Sequence, residues 1–319
     1  MPLIGFVRSF GHEIHQEGHT NKYLWRGGFS KCHSEGAIVD FVKEQLATKE
    51  TNVCVFLMQC DGIDDVPYSE ATARRLTYNP SIYEEKRLPG ENNLILLTLC
   101  TRNVFHPKFL LLPLDDKSFK MGVYEHVSAK VTRIPWEQRI PKAYWRGISS
   151  GEPGDNVRTR AILRLHKNPH SNARLLVPFE NDNKTGPLAD TTNLDLYDIW
   201  RRPMQDFVNH KYNFIIDGAC IASSLQWAFA SGSVPILITH PGNDWWFKRY
   251  LEPMKHYVPV AYDLSDLEER LEWLVTHDEE AQAIAENAVA FSQYYLSAGF
   301  QQCHLAKEID IVINAPYSV

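Results

Sequence analysis

The sequence predicts an α/β protein of two domains built on parallel sheets. Short apolar runs of strand length alternate with amphipathic stretches of helix length along the chain. Tyr212–Ile216, Ser223–Ala230 and Val234–Ile238 then read as strand, helix and strand, with a turn at Asp217-Gly218 after the first. The third observation is length: 319 residues suffice for two cores at about 150 residues per domain.

From the N-terminus, 36–46 has Ala37, Val39, Phe41, Val42 and Leu46 at helical spacing. The β-rich runs 52–58, 93–99 and 109–114 follow as buried strands, the last bracketed by Pro107 and Pro113. Pro135 and Pro141 lie among charges in 131–142, the most linker-like stretch, so the domain boundary is placed there. A strand at 142–145 enters a Gly/Ser-rich loop at 148–156, and 158–166 has helical periodicity. After the strand–helix–strand unit come helices at 266–274 and 279–295, the second opened by an acidic first turn that suits the helix dipole. The expected division is 1–135, 136–300 and a final segment 301–319.

Composition narrows the function classes. With 44% hydrophobic and 23% charged residues, the chain is too apolar to be disordered. A balance of 33 basic against 39 acidic side chains leaves a net charge of −6, which disfavours nucleic acid as a partner. The apolar runs 94–99, 109–114 and 234–238 fall far short of the ~20 residues a membrane span needs. Charged and histidine side chains from Arg8 to His19 interrupt the first 20 residues, so no signal region is expected and the chain reads as cytoplasmic. Six cysteines without a CxxC pair read as reduced thiols rather than a disulfide framework.

Several segments are candidates for chemistry. Asp217-Gly218 followed by Ala222-Ser223-Ser224 delivers a strand to a helix N-terminus, where unpaired N–H groups and small side chains suit a phosphate; the alternative is that Ser223 is only a helix cap. Arg146-Gly147-Ile148-Ser149-Ser150-Gly151 is a second anion loop, with Arg158 and Arg160 opening the next helix; the alternative is that these arginines are solvated. Trp245 and Trp246 follow the 234–238 strand, where an aromatic ring stacks on a ligand or, as favoured, packs internally. His12, His15 and His19 would share one face of a helix, but Gly11 and Gly18 argue for a polar loop, and no metal site is assigned.

Pro135-Trp136-Glu137-Gln138-Arg139 through Trp145-Arg146-Gly147, Lys211 through Gly218, Ser231-Gly232-Ser233-Val234-Pro235, Met254 through Val260 and Asp263 through Leu267 resemble glycosyltransferase family 90. His277 through Ala281 is similar too, and the resemblance runs in order from about residue 105 to the C-terminus. It implies a GT-B fold, with two Rossmann-like domains facing a central cleft and a C-terminal helix returning to the first. It further implies a UDP-sugar donor, an inverted anomeric centre and a hydroxyl-bearing glycan or glycoconjugate acceptor, with xylose or glucose transferred. The donor would lie on the second domain, against Arg146, Gly147, Ser149, Ser150, Arg158, Arg160, Asp217, Gly218, Ala222, Ser223 and Ser224.

The family's general base is a carboxylate near the end of an N-domain strand, and the matching stretch here is 53–67. Asp61 is the expected base, with Asp64 and Asp65 as alternates because the spacing to Pro67 departs from the family pattern. Members often carry an Arg where this chain reads Ser223-Ser224-Leu225-Gln226; Lys211 and Lys255 are candidate substitutes. No Asp-x-Asp triplet is present, so no cofactor or metal requirement is expected beyond the UDP-sugar itself. The missing Arg also motivates an alternative, a sugar-nucleotide- or glycan-binding module of the same fold that has lost catalysis.

Overall fold

The computed structural model describes residues 12–17, 23–29, 36–49, 53–57, 63–64, 76–77, 93–102, 108–149, 156–176, 197–198, 204–218 and 221–315. The chain forms two compact units: unit 1 is 1–121, 242–248 and 298–319, and unit 2 is 122–241 and 249–297. Each is α/β with a parallel sheet at its centre, as the sequence predicts. Among the described residues no helix is long and apolar enough to cross a membrane.

Unit 1 holds a five-stranded sheet in the order β1 (His12–Glu17), β2 (Tyr23–Phe29), β3 (Val53–Leu57), β6 (Asn93–Thr98) and β8 (Phe109–Leu111). The β1–β2 pair is antiparallel and the rest parallel. Strand β1 replaces the polar loop expected around His12 and His15, and a period of two removes the meaning of their helical spacing. A small second sheet joins β4 (Ile63–Asp64), β5 (Leu76–Thr77), β7 (Thr101–Arg102) and β14 (Asn243–Asp244).

Helix α1 (Ala37–Ala47) starts where Asp116 Oδ1 accepts from Ile38 N at 3.0 Å, and it buries Ile38, Val39, Val42 and Leu46. The helix α2 (Asp116–Met121) precedes α3 (Val123–Ser128), the first helix of unit 2. The C-terminal helix, α9 (Ala298–Asn314), lies in unit 1, as a returning helix should. Its Leu305, Ile309 and Val312 share one cluster with the buried face of α1. Gln301 Nε2 donates to Ser118 O at 3.0 Å, and Lys108, 1% exposed, donates from Nζ to Val312 O and Ala315 O, each at 2.8 Å. A cation on the last carbonyls offsets the negative end of the helix dipole.

In this unit the favoured reading of the aromatic pair holds and the cysteine reading is corrected. Trp245, Trp246 and Phe247 are 2%, 0% and 0% exposed, so they are packing residues and offer no ring to a ligand. Cys100, also fully buried, is disulfide-bonded rather than a reduced thiol, whereas Cys303 is free.

Unit 2 is a six-stranded parallel sheet: β11 (Tyr197–Asp198), β10 (Ser171–Leu176), β9 (Ile140–Gly147), β12 (His210–Ile216), β13 (Val234–Ile238) and β15 (Val258–Val260). That is the doubly wound order 3-2-1-4-5-6. β12 and β13 are buried at every position, as a strand covered on both faces must be. On one face Ala143 and Trp145 join a core with α4 (Val157–Leu165), α7 (Leu267–Thr276) and α8 (Asp278–Tyr295). On the other, Tyr144 meets Phe207 of α5 (Met204–Val208) with ring centroids 4.7 Å apart, and Phe207 meets Trp227 of α6 (Leu225–Ala228) at 4.9 Å.

The segment read as a linker is instead part of unit 2, and the change of unit falls at 121/122. Trp136 and Arg139 are 8% and 7% exposed. Arg139 Nη1 donates to Ser233 Oγ at 3.0 Å and Arg133 Nη2 to Ala230 O at 2.6 Å, tying the segment to the turn before β13. Burial and the adjacent Arg133 lower the Arg139 pKa to about 10, so it stays charged at neutral pH.

Candidate functional site

The sheet order of unit 2 fixes where a ligand belongs. From β9 the chain moves outward to β10 and β11, then returns to β12 on the other side of β9 and moves outward again through β13 and β15. The crevice outside the carboxyl ends of β9 and β12 is therefore the topological switch point, where open α/β sheets bind ligands. Gly147, Ser149, Asp217 and Gly218 lie on the exits of those two strands, and α4 begins beside them.

Arg158 holds the two exits together. Its Nε and Nη2 donate to Ile216 O at 3.1 and 3.0 Å, and its Nη1 donates to Ile148 O at 3.2 Å. Asn156 caps α4, its Oδ1 accepting from Thr159 N at 3.1 Å, while its Nδ2 donates to Ser149 O. Gly147 is required for space, since a Cβ there would lie 2.5 Å from the Trp145 ring. Asp217 is 2% exposed; its Oδ2 accepts from Thr239 Oγ1 at 2.6 Å and from His240 N at 3.0 Å. This brings the exit of β13 into the same construction, a connection the sequence reading missed because nothing in the local pattern links 217 to 239–240.

Arg160 sits further along α4. It donates to Tyr262 O at 3.4 Å and Asp263 O at 3.5 Å, and its guanidinium is 5.9 Å from the Tyr262 ring centroid. Neither Arg158 nor Arg160 is simply solvated, so both are organising cations of the carboxyl edge.

Arg146 points elsewhere. Its guanidinium donates to Trp145 O at 2.8 Å and Asn172 Oδ1 at 3.0 Å and lies 4.6 Å from the Tyr144 ring centroid. Asn172 Nδ2 in turn faces His210 Nε2 at 3.1 Å. Because His210 Nδ1 faces Asp206 O at 2.6 Å and must donate there, Nε2 is the acceptor. Burial, aided by Arg146 and Lys142, holds the His210 pKa below its ordinary 6.5. The unfolded chain then takes up the proton first, so stability falls as pH drops below 6.5 and is unaffected well above it. His210→Gln is expected to lose less Tm than the parent between pH 7.5 and about 5.5; equal losses would show that the ring titrates normally.

The helix after Asp217-Gly218 is corrected. It is one turn, 225–228, rather than 223–230, and Ser224 makes no side-chain cap bond. Gly232, with φ +76°, follows soon after. Ala222 is buried, Ser223 exposed and Ser224 half-buried, so a long helix dipole does not stand behind these residues.

Of the two lysines proposed as stand-ins for the missing Arg, Lys211 is corrected. Lys211 Nζ binds both oxygens of Asp278 at 2.6 and 2.8 Å, lies 4.7 Å from the Trp136 ring centroid and sits near the amino end of β12, away from the switch point. Lys255 pairs with Glu252 at 2.7 Å.

Ser150, Asp61 and Asp65 lie outside the described residues; Asp64 belongs to β4, with only its backbone described. Among the described residues no group of three His, Cys, Asp or Glu side chains is placed to hold a metal ion.

Comparison with known proteins gives a consistent picture. The model of Glycosyl transferase family 90 matches residues 117–307. Protein O-glucosyltransferase 2 of Danio rerio is 30% identical over 241 residues, covering 70% of this chain and 43% of that protein. Human protein O-glucosyltransferase 1 is 28% identical over 182 residues, covering 56% of this chain and 43% of that protein. The chain thus spans less than half the length of these curated relatives. Among solved structures, that of WaaG, a glycosyltransferase involved in lipopolysaccharide biosynthesis, aligns with a TM-score of 0.45 at 14% identity, over 98% of this chain and 94% of that one.

Proposed function

Since the chain belongs to glycosyltransferase family 90, we propose that it moves a sugar, glucose or xylose, from a UDP-sugar to a hydroxyl of a glycan or glycoconjugate acceptor with inversion. The observation that carries this reading is the coincidence of two facts. The family match spans all of unit 2, and the predicted donor loops at 147–149 and 217–218 meet at that unit's switch point.

In this reading the donor's pyrophosphate lies against the exits of β9 and β12, near the start of α4. Arg158 and Arg160 place positive charge there, although their N–H groups also serve backbone carbonyls. Charge builds on the diphosphate as the glycosidic bond breaks, and preorganised donors around it lower the barrier most effectively. Asp61 takes the acceptor's proton, with Asp64 and Asp65 as alternates. Glucose and xylose differ by one CH₂OH, a discrimination worth about 1–3 kcal/mol in a fitted pocket.

A binding module without transfer is favoured by one observation: each cation assigned to the diphosphate already donates to the protein itself. The test is a thermal-shift series with UDP-glucose, UDP-xylose and UDP, followed by UDP release in the presence of a glycan acceptor. A ligand at 100 times its Kd adds about 2.7 kcal/mol of stability, which raises Tm measurably. A shift with acceptor-dependent UDP release supports the enzyme, and a shift without release supports the module. No shift with any UDP compound defeats both.

A further inference from the structure

The carboxyl edge of unit 2 carries one wall that the donor-loop assignment leaves unused. His240 stands on the exit of β13, neither buried nor fully exposed. Its backbone N–H is held by the buried Asp217 carboxylate at 3.0 Å, and the same oxygen takes the Thr239 hydroxyl at 2.6 Å. Asp217 N donates to Ile238 O at 3.1 Å, so the exits of β12 and β13 are fastened from both directions. The imidazole meets the Tyr262 ring edge-on, with centroids 5.1 Å apart and planes at 78°. Tyr262 in turn carries the Arg160 guanidinium. Three segments thus bring an imidazole, a phenol and a guanidinium together one strand from the switch point.

Arg158 directs Nε, Nη1 and Nη2 at backbone carbonyls, and Arg146 is turned toward Asn172. A diphosphate on the exits of β9 and β12 would also accept N–H donors from the neighbouring strand β13. We propose that His240 is such a donor, hydrogen-bonding the β-phosphate of the leaving nucleoside diphosphate, and that Asp217 is its positioning residue. This rests on the UDP-sugar reading above.

During transfer the bond from the sugar's anomeric carbon to the β-phosphate oxygen breaks and its electron pair leaves on that oxygen. The acceptor oxygen bonds the same carbon while its proton passes to the carboxylate base. The imidazole N–H donates to the β-phosphate as charge grows there, and no further reactant is needed. An edge-on aromatic neighbour and a fixed backbone restrict the ring's orientation before the donor arrives.

Titration calorimetry with uridine, UMP and UDP tests this, because only UDP carries a β-phosphate. His240→Ala and His240→Asn are each expected to weaken UDP about 10- to 100-fold, the value of a charge-assisted hydrogen bond, and to leave uridine and UMP within about twofold. Asp217→Asn is expected to lower the preference for UDP over UMP in the same direction. Equal weakening of all three ligands in the His240 variants would assign the ring to the nucleoside or to packing and overturn the proposal. Unchanged UDP affinity would overturn it as well. Failure of the parent protein to bind any of the three would instead defeat the UDP-sugar reading.

Discussion

Asp61→Asn is expected to lower sugar transfer by about 10²–10⁴-fold while UDP affinity stays within a few-fold. An alcohol is a weak nucleophile until its proton is taken, and a positioned carboxylate supplies about 3–5 kcal/mol of the barrier. Inversion needs a single such group. The substitution keeps size and shape and removes only basicity, so UDP affinity is expected to hold. Initial rates with saturating UDP-sugar, alongside UDP calorimetry, separate the two quantities. Full activity in Asp61→Asn passes the role to Asp64 or Asp65, and full activity in all three variants removes the carboxylate base from the stretch.

A second large effect is expected in unit 1. Lys108→Met should cost about 2–4 kcal/mol of stability, read from the denaturant midpoint at constant m-value. The ammonium is 1% exposed and serves Val312 O and Ala315 O at 2.8 Å and Ile313 O at 3.4 Å. Methionine fills the volume of the stem and withdraws both the donor and the charge that faces the helix terminus. Amide exchange within 305–314 should quicken in the same variant, since that end of α9 loses its anchor. A midpoint change below about 0.5 kcal/mol, the size of an ordinary surface substitution, would mean the cap contributes nothing net.

The strands of unit 2 were the most legible part of the molecule. β12 and β13 are unbroken β-rich apolar runs because both of their faces are covered, so burial and secondary structure leave the same mark on the sequence. The long helices 267–276 and 278–295 were legible for a related reason, their buried positions recurring at helical spacing. β10, Ser-Asn-Ala-Arg-Leu-Leu, was not read as a strand, since only Ala173 and Leu175 are buried and its order comes from pairing with β9. The membership of 242–248 in unit 1 was invisible for the same kind of reason. It depends on Asn243 pairing with Arg102, 141 residues away in sequence.

The candidate site shows the same limit. Gly147, Asp217 and Gly218 were identifiable as loop residues at strand exits. What a guanidinium or an ammonium is bonded to is a property of the folded neighbourhood, so no local pattern shows that Lys211 is committed to Asp278. His240 and Tyr262 went unnoticed because each is an isolated polar or aromatic residue in its own segment. Only Asp217 and the packing of β13 beside β15 bring them together.

The chain changes unit at 121/122, 241/242, 248/249 and 297/298. Neither unit can therefore be inherited as one uninterrupted stretch of gene. A recombination event that exchanged 122–297 alone would carry off Trp245, Trp246 and Phe247 from the core that encloses them, and would separate α9 from its own coding neighbour. Shuffling between relatives of this architecture should succeed only when the 242–248 and 298–319 segments travel with the first 121 residues, so these two short pieces ought to share their ancestry with the N-terminal part.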